Sequence, residues 1–134
     1  MKLVNCDKKY WEFVRLLRMD QNNISGFVQK NYISKIDQIK YMEINSNNYR
    51  IALIDEVPVG YVGVINQDIR ICTHSSYKAK GVGKFMLNES MKIWKDSTAK
   101  VKKSNIISTK LFIKCGFNIY NEDEEFIYFN KKIK

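Results

Sequence analysis

Hydrophobic and polar positions change their spacing several times along the chain. Seven short runs rich in β-branched and aromatic residues predict strands at residues 2–5, 49–54, 59–65, 68–73, 99–102, 117–120 and 126–130. A polar turn at residues 55–58 separates two of these runs, and the acidic run at 122–125 separates the last two. Each pair therefore predicts an antiparallel hairpin.

Between the strands, apolar residues recur at the spacing of amphipathic helices. Asp7 is the predicted cap of a first helix, whose apolar positions are Tyr10, Phe13, Val14, Leu16 and Leu17. A short helix is predicted at residues 24–32, and another runs from a Ser34 cap to about residue 44, with Ile36, Ile39, Tyr41 and Met42 facing inward. Later helices are predicted at residues 84–94, and from a Ser104 or Asn105 cap to a stop at Gly116.

The order of these elements predicts the fold class. Strands and helices alternate, with antiparallel hairpins in the middle and at the end, which indicates an α/β (α+β) domain with a mixed sheet and helices packed on its faces. The chain of 134 residues contains no repeat and no linker-like stretch. We therefore expect one domain over residues 1–134.

Composition narrows the class of protein. No apolar run approaches the ~20 residues that cross a bilayer, and the first residues lack the apolar stretch of a signal peptide. A cytoplasmic protein with no membrane partner is expected. The three cysteines (Cys6, Cys72 and Cys115) are odd in number and lack metal-ligand spacing. This pattern favours reduced, buried thiols and predicts no metal site.

The net charge of +9 is confined to one third of the chain. Residues 70–114 contain 11 basic and 2 acidic residues, so the rest of the chain is balanced. A local excess of this kind indicates an anionic partner, either a nucleic acid or a phosphorylated cofactor. Nucleic-acid binding is disfavoured, because the chain shows no RNA-binding aromatic motif and no helix with a convincing basic face.

A glycine- and lysine-rich turn lies between a predicted strand and a predicted helix. It consists of Lys78, Ala79, Lys80, Gly81, Val82, Gly83 and Lys84. Unpaired N–H groups at the start of a helix attract anions, and glycine allows a ligand to approach the backbone closely. The turn has neither the spacing of a Walker A loop nor that of a dinucleotide fingerprint. By itself it predicts either a site for the anionic group or a purely structural turn.

Two motifs together resemble the GNAT superfamily of acetyl-CoA-dependent N-acetyltransferases. The first is Lys78-x-x-Gly81-x-Gly83 after the strand at 68–73, with Lys78 where the family prefers Arg or Gln. The second is Asn105-x-x-Ser108-x-x-Leu111-Phe112, ending at Gly116-Phe117, and the resemblance covers residues 51–128. It implies acetyl-CoA (CoA) as cofactor, in a sheet splayed between parallel strands 68–73 and 99–102. It places Cys72, Thr73, Asn105, Ser108, Phe112 and the 78–84 turn against the cofactor.

The resemblance also implies catalytic roles. The Thr73 amide is the candidate donor to the thioester oxygen. His74 is the candidate base, with a loop-holding histidine as the alternative reading; Glu43, Asp55 and Glu56 are further candidates. Phe112 stands where many members carry the Tyr that protonates the leaving thiolate. Tyr120 is the first substitute for that acid, followed by Tyr128 and Cys115.

The predicted activity is transfer of an acetyl group from acetyl-CoA to a primary amine by direct attack. A small-molecule acceptor such as an amino sugar is favoured; a peptide or protein amine, or a catalytically silent CoA-binding module, are the alternatives. Arg15 and Arg18 share one helical face and could bind a phosphate or carboxylate of the acceptor; two solvated arginines beside a core helix are the alternative. Glu122–Glu125 could attract a cationic acceptor or only keep the hairpin edge soluble. A homodimer is left open.

Overall fold

Seven strands form one sheet in this computed structural model, which describes residues 1–20 and 32–131. The strands are β1 (Lys2–Asn5), β2 (Tyr49–Ile54), β3 (Val57–Ile65), β4 (Asp68–Thr73), β5 (Thr98–Lys102), β6 (Asn118–Glu122) and β7 (Phe126–Asn130). Their order across the sheet is β1-β2-β3-β4-β5-β7-β6. The β4–β5 pair is parallel and the other neighbours are antiparallel, so the predicted mixed sheet is confirmed.

Helices cover both faces of this sheet, as predicted. The described residues form α1 (Trp11–Met19), α2 (Lys35–Asn45), α3 (Val82–Ile93) and α4 (Ile106–Lys114). Val14, Leu17 and Met42 of α1 and α2 share one buried cluster with β2 side chains. Met86 and Phe112 of α3 and α4 lie in a second cluster, on the opposite face. Successive side chains of β2 point to opposite faces of the sheet, so β2 contributes to both clusters: Ile51 lies in the first and Ala52 in the second.

The parallel strands β4 and β5 separate soon after they meet. They share a single pair in register, Asp68 with Thr98, where the Thr98 N–H donates to the Gln67 carbonyl at 2.7 Å. At the far end of β4, Thr73 pairs with Gly60 of β3, next to a β-bulge at Val59. A bulge increases the local twist of the strand that carries it, here β3. No residue of β4 beyond Asp68 pairs with β5. The splayed sheet that the motifs implied is therefore present.

The predicted turn at residues 55–58 is too long by two residues. The turn contains only Asp55 and Glu56, which have positive φ angles of 48° and 67°, as type I′ hairpins require. Val57 and Pro58 already belong to β3. Pro58 is tolerated there because β4 ends at Thr73, opposite Gly60, so no β4 residue needs the missing proline N–H.

The helix predictions need three corrections. Asp7 precedes a short 3-10 turn (Lys8–Tyr10) without donating or accepting a side-chain capping bond, and α1 begins only at Trp11. On α2, Ser34 is the cap as predicted, accepting from the Asp37 N–H at 3.0 Å. The inward prediction holds for Met42 and is wrong for Ile36 and Ile39, which are exposed, as is Leu16 on α1.

Gln38 is the buried α2 residue that the hydrophobic pattern missed. Its side-chain amide donates to the Trp11 carbonyl at 2.9 Å, which satisfies a polar group inside the α1–α2 contact. Helix α2 thus packs through a narrow stripe containing Gln38 and Met42, one turn apart. The helix predicted at residues 24–32 lies outside the described residues except for Tyr32.

Candidate functional site

A cleft of about 240 Å³ occupies the space between the diverging strands. It passes through the sheet, because its walls come from both buried clusters. On the α1–α2 face it is lined by Arg18, Tyr49, Tyr61, Asp68, Arg70 and Lys100. On the α3–α4 face it is lined by Ile69, Ile71, Ala99, Val101, Asn105, Ser108 and Phe112. A long, thin ligand could therefore reach from one face of the sheet to the other.

Thr73 is at the end of β4 far from the β4–β5 pair, beyond the residues that line the cleft, and its backbone is directed to the side where β5 has separated from β4. The His74 N–H donates to the Val59 carbonyl at 2.8 Å, so residues 59 and 74 form a hydrogen-bonded pair of the antiparallel β3–β4 ladder. The next pair, Gly60 with Thr73, is then of the non-hydrogen-bonded type, in which both backbone groups point away from the partner strand. The Thr73 N–H is thus directed toward the β5 side, where the splay leaves room for a ligand oxygen.

Unlike Thr73, Cys72 does not direct its backbone N–H and C=O groups toward β5. Its backbone pairs with Tyr61 on β3, and its side chain is buried in the cluster under α1 and α2. Burial raises the pKa of its thiol to about 12. The structure therefore places Cys72 beside the cleft without directing a polar group into it, and its predicted cofactor contact remains a prediction.

The lysine-rich turn leads into the N-terminal end of α3 at Gly81, which we call the cradle. Gly81 is the N-cap residue with φ at +82°, a left-handed conformation that suits glycine, and no side chain caps this helix end. An added Cβ at Gly81 would meet no atom within 4 Å, so there is open space beside this helix end, where the first N–H groups have no partner within the helix. Lys80 and Lys84 are exposed on either side of it. This geometry fits an anionic group.

Gly83 has a packing role that its motif does not indicate, and its predicted cofactor contact remains a prediction. A Cβ at this position would lie 2.9 Å from Cδ2 of Leu111, a side chain on α4. Its small size therefore lets α3 approach α4. Sequence spacing could not separate this packing role from close approach to a ligand.

Asn105 and Phe112 connect α4 to the cleft. The Asn105 side-chain oxygen accepts from the Ser108 N–H at 3.1 Å, so Asn105, not Ser104, is the helix cap. Its side-chain NH₂ group remains as a donor on the cleft wall. Phe112 is 2% exposed and stacks on Phe129 with ring centroids 5.3 Å apart. The cleft wall at this point is part of the hydrophobic core.

His74 is held by the loop that it precedes. Its Nδ1 accepts from the Ser76 N–H at 3.1 Å, and its ring meets Tyr77 edge-on at 6.1 Å. In a neutral ring with Nδ1 as acceptor, the proton is on Nε2, which leaves no free lone pair. This geometry supports the loop-holding reading, and the base role remains a prediction. Of the other candidates, Glu56 pairs with Lys2 at 2.6 Å, and Glu43 and Asp55 are exposed outside the cleft.

The three candidate acids, Tyr120, Tyr128 and Cys115, are not among the residues that line the cleft. Tyr120 is 52% exposed on β6, two strands beyond β5. The Tyr128 hydroxyl donates to Asp123 at 2.8 Å. Asp123 also accepts from the Phe126 and Glu125 N–H groups, and these bonds lower its carboxyl pKa. The acidic run thus builds the hairpin tip. Cys115 is buried, and burial raises its thiol pKa.

Arg15 and Arg18 share a helical face, but their side chains have different surroundings. Arg15 is nearly buried and donates to both Glu12 carboxylate oxygens, at 2.5 and 2.9 Å, and to the Ile33 carbonyl at 3.1 Å. It therefore stabilises the α1 region and does not enter the cleft. Arg18, one turn further, does line the cleft. The predicted two-arginine anion site is corrected accordingly.

Sequence reasoning missed the polar residues on the α1–α2 side of the cleft. Burial raises the carboxyl pKa of Asp68, and the Arg70 guanidinium, 4.0 Å away, opposes that rise. Tyr49 shares a hydrogen bond with Tyr41, with their oxygens 2.7 Å apart. The available signal was the alternation on β4: Ile69 and Ile71 face one core, so Asp68 and Arg70 had to face the other side.

The described residues contain no helix long and apolar enough to cross a bilayer, and no cluster of side chains suited to a metal ion.

Comparison with known proteins gives one family and many related folds. The model of the Acetyltransferase (GNAT) family matches residues 11–117. No curated protein matches the chain at the significance applied. The fold resembles ribosomal-protein-alanine N-acetyltransferase from Brucella melitensis, with a TM-score of 0.83 and 10% identity, over 99% of this chain and 100% of that one.

Two further structures with similar folds were solved with coenzyme A. Spermidine N-acetyltransferase from Vibrio cholerae, in complex with CoA and spermine, has a TM-score of 0.80 and 16% identity over 97% of this chain and 95% of that one. The paia N-acetyltransferase from Thermoplasma acidophilum, in complex with coenzyme A, has a TM-score of 0.70 and 15% identity over 98% of each chain. At these identities the likeness concerns the fold.

Proposed function

Since the chain belongs to the GNAT family of acetyltransferases, we propose that it transfers an acetyl group from acetyl-CoA to the primary amine of a small molecule. An amino sugar is the kind of acceptor we favour. The amine attacks directly: its nitrogen forms the new bond to the acetyl carbon, the carbon–sulfur bond breaks, and CoA leaves as the thiol. The amine loses one proton and the thiolate gains one, so the reaction needs no other reactant.

The observation that carries this proposal is the pairing of the open cradle with a gap-facing amide. The cradle at Gly81 lies on the α3–α4 side of the sheet, where uncapped N–H groups and lysines can bind a pyrophosphate. The Thr73 N–H faces the gap at the open end of β4. When bound, the cofactor supplies an acetyl group activated as a thioester.

The remaining residues of the cleft bind and orient. Asn105 offers its side-chain NH₂ group from the cap of α4, and Ser108 lies one turn along the same wall. Phe112 excludes water from the middle of the gap. The Thr73 N–H donates to an oxygen held in the gap, where few solvent molecules compete, so the bond is stronger than it would be in water.

An attacking amine must first lose its proton, because an ammonium has no lone pair. His74 was the sequence candidate for the base, and Asp68 is a second one, since its carboxyl lines the cleft. Burial raises the Asp68 pKa, which makes this carboxylate a better proton acceptor than an exposed one. The three cysteines are buried without disulfides, which supports our proposal of a cytoplasmic location.

The experiment compares two substitutions at Gly81. Asn and Asp both tolerate positive φ and are nearly the same size, and the structure has open space at this Cβ. Gly81→Asp places an anion in the cradle, and Gly81→Asn does not. We expect wild type and Gly81→Asn to bind CoA and Gly81→Asp to bind at least about tenfold more weakly, because like charges repel at short range.

Calorimetry with CoA measures the binding, and release of CoA thiol with a panel of amines measures turnover. Equal CoA affinity in both variants would place the cofactor elsewhere and contradict the proposal. CoA binding without turnover on any amine or peptide would favour the silent binding module. Turnover with peptides alone would favour a peptide or protein acceptor.

A further inference from the structure

The α1–α2 mouth of the cleft has an unbalanced set of charges. Arg18, Arg70 and Lys100 all line it, and Asp68 is the acidic residue beside them. These cations come from three separate elements, α1, β4 and β5. Their convergence at one opening therefore depends on the tertiary fold and does not follow from any run in the sequence.

These cations are not placed to bind the phosphates of the cofactor. The proposed phosphate site, the lysine-rich turn, lies on the opposite face of the sheet. Tyr77, which precedes the lysine-rich turn, and Val82, which belongs to it, pack into the α3–α4 cluster. Ile69, Ile71, Ala99 and Val101 also face that cluster. Side chains alternate along a strand, so Arg70 and Lys100 project from the other face, where α1 carries Arg18.

Neither arginine is neutralised within the described residues. Arg70 has its Nε 4.0 Å from Asp68, which is the outer limit of an ion pair, and its side chain is 40% exposed. No carboxylate of the described residues lies within 4.0 Å of Arg18, in contrast to the doubly bonded Arg15 on the same helix. Lys100 lies over the Phe126 ring, with Nζ 4.1 Å from its centroid. Its charge favours a lower carboxyl pKa at Asp68 and at Asp123, but no carboxylate of the described residues lies within 4.0 Å of its Nζ.

The surroundings strengthen the attraction of these groups for an anion. Tyr49 and Tyr61, which are buried, form the floor beside both arginines. Burial raises the pKa of both tyrosines, and the charges of Arg18 and Arg70, which line the same cleft, oppose the rise. Charges beside such a low-dielectric wall interact more strongly than charges surrounded by water.

The geometry points to an acceptor amine that also carries an anionic group, a phosphate or a carboxylate, held by Arg18, Arg70 and Lys100. This inference rests on the proposed function and specifies its substrate class. The anion binds at the α1–α2 mouth, and the amine extends toward Asp68 and the gap. Guanidinium groups suit both anions, because two N–H donors match two oxygens. A polyamine such as spermine would meet repulsion at this mouth.

The test uses amines of similar length and different charge, with CoA already bound. Calorimetry compares phosphoethanolamine, β-alanine, ethanolamine and 1,3-diaminopropane. We expect at least one anionic amine to bind about tenfold more tightly than ethanolamine, and the diamine to bind most weakly. Which anionic amine binds better identifies phosphate or carboxylate as the recognised group.

Substitutions connect this preference to the site. Arg70→Gln should remove most of the preference for the anionic amine, whereas Lys92→Gln, which removes the same charge from an exposed position on α3, should retain it. Equal or tighter binding of ethanolamine or the diamine, no binding of any probe, or a preference that survives in Arg70→Gln, would overturn the inference. Failure of the proposed function shows separately, as loss of CoA binding in wild type. The anion preference is then read with the cofactor-free protein by the same criteria.

Discussion

Replacing Gly63 with alanine should test how tightly the cleft floor is joined to the core. Gly63 pairs with Tyr49 across β2 and β3, and the tyrosine ring lies directly against the glycine. A Cβ at residue 63 would be 2.5 Å from both Cδ1 and Cε1 of Tyr49. Carbon atoms pack at about 3.5–4.0 Å, so the ring would have to move by roughly 1 Å.

The ring has little freedom to move by that amount. Tyr49 is 1% exposed, its hydroxyl is bonded to that of Tyr41, and Tyr61 packs against it with centroids 6.0 Å apart. Overpacking of this kind costs about 1–3 kcal/mol and occasionally more, and we expect about 3 kcal/mol for Gly63→Ala. In a chain of this size that corresponds to a decrease of roughly 10 °C in melting temperature.

A second substitution distinguishes a ring clash from a backbone effect. In a Tyr49→Val background the ring is gone, so Gly63→Ala should change the free energy of unfolding by less than about 1 kcal/mol. Urea denaturation of the four proteins in this cycle gives the coupling energy. An equal loss in both backgrounds would refute the steric argument. If Gly63→Ala folds, the acceptor KM should increase more than the CoA affinity falls, because Tyr49 lines the α1–α2 side of the cleft.

Three further predictions concern single groups. Phe112→Tyr should change the turnover rate by less than about tenfold, measured as CoA thiol release, since a thiol of pKa ~8.5 can leave without direct protonation; turnover found only in the variant would favour a silent binder. Burial raises the thiol pKa of Cys6 and Cys72 to about 12. At pH 8 a thiol reagent should therefore label these two cysteines more than about 100-fold faster in urea than in the folded protein. Equal labelling rates would contradict their burial. Gln67→Gly should raise the free energy of unfolding by about 0.5–1 kcal/mol in urea titrations, because residue 67 has φ at +67°, and a lower value would show that its side chain has a stabilising contact.

The sequence predicted the strands well because their signals are local. All seven lie within two residues of their predicted ends, and the motifs identified the two strands that frame the gap. The β3 start was missed because the pairing of Pro58, and not its own preference, makes it a strand residue. The family match begins at residue 11, whereas the resemblance based on motifs began at residue 51. The first fifty residues contain no motif, and helical content alone does not identify a family.

Apart from Arg18, the residues of the candidate site were predictable only on its cofactor side. Gly81 and Asn105 act through their own backbone and the next helix turn, so a short stretch of sequence determines their role. The cations at the other mouth come from three distant elements, and no local pattern relates Arg18 to Lys100. Arg15 illustrates the same limit: its bond to Glu12 removes it from the site, although its spacing with Arg18 looked favourable.

The splay between β4 and β5 gives this sheet two inner edges in addition to its outer edges at β1 and β6. An exposed edge is normally an aggregation hazard, because its free N–H and C=O groups can pair with a strand from another molecule. Here α1 covers one side and α3 and α4 cover the other, so a foreign strand cannot lie flat along either inner edge. The chain can therefore keep unpaired main-chain groups ready for a thin ligand without exposing them to its own copies. Because the main chain supplies these groups, substitutions of β4 side chains should alter which molecule is held more readily than they abolish holding.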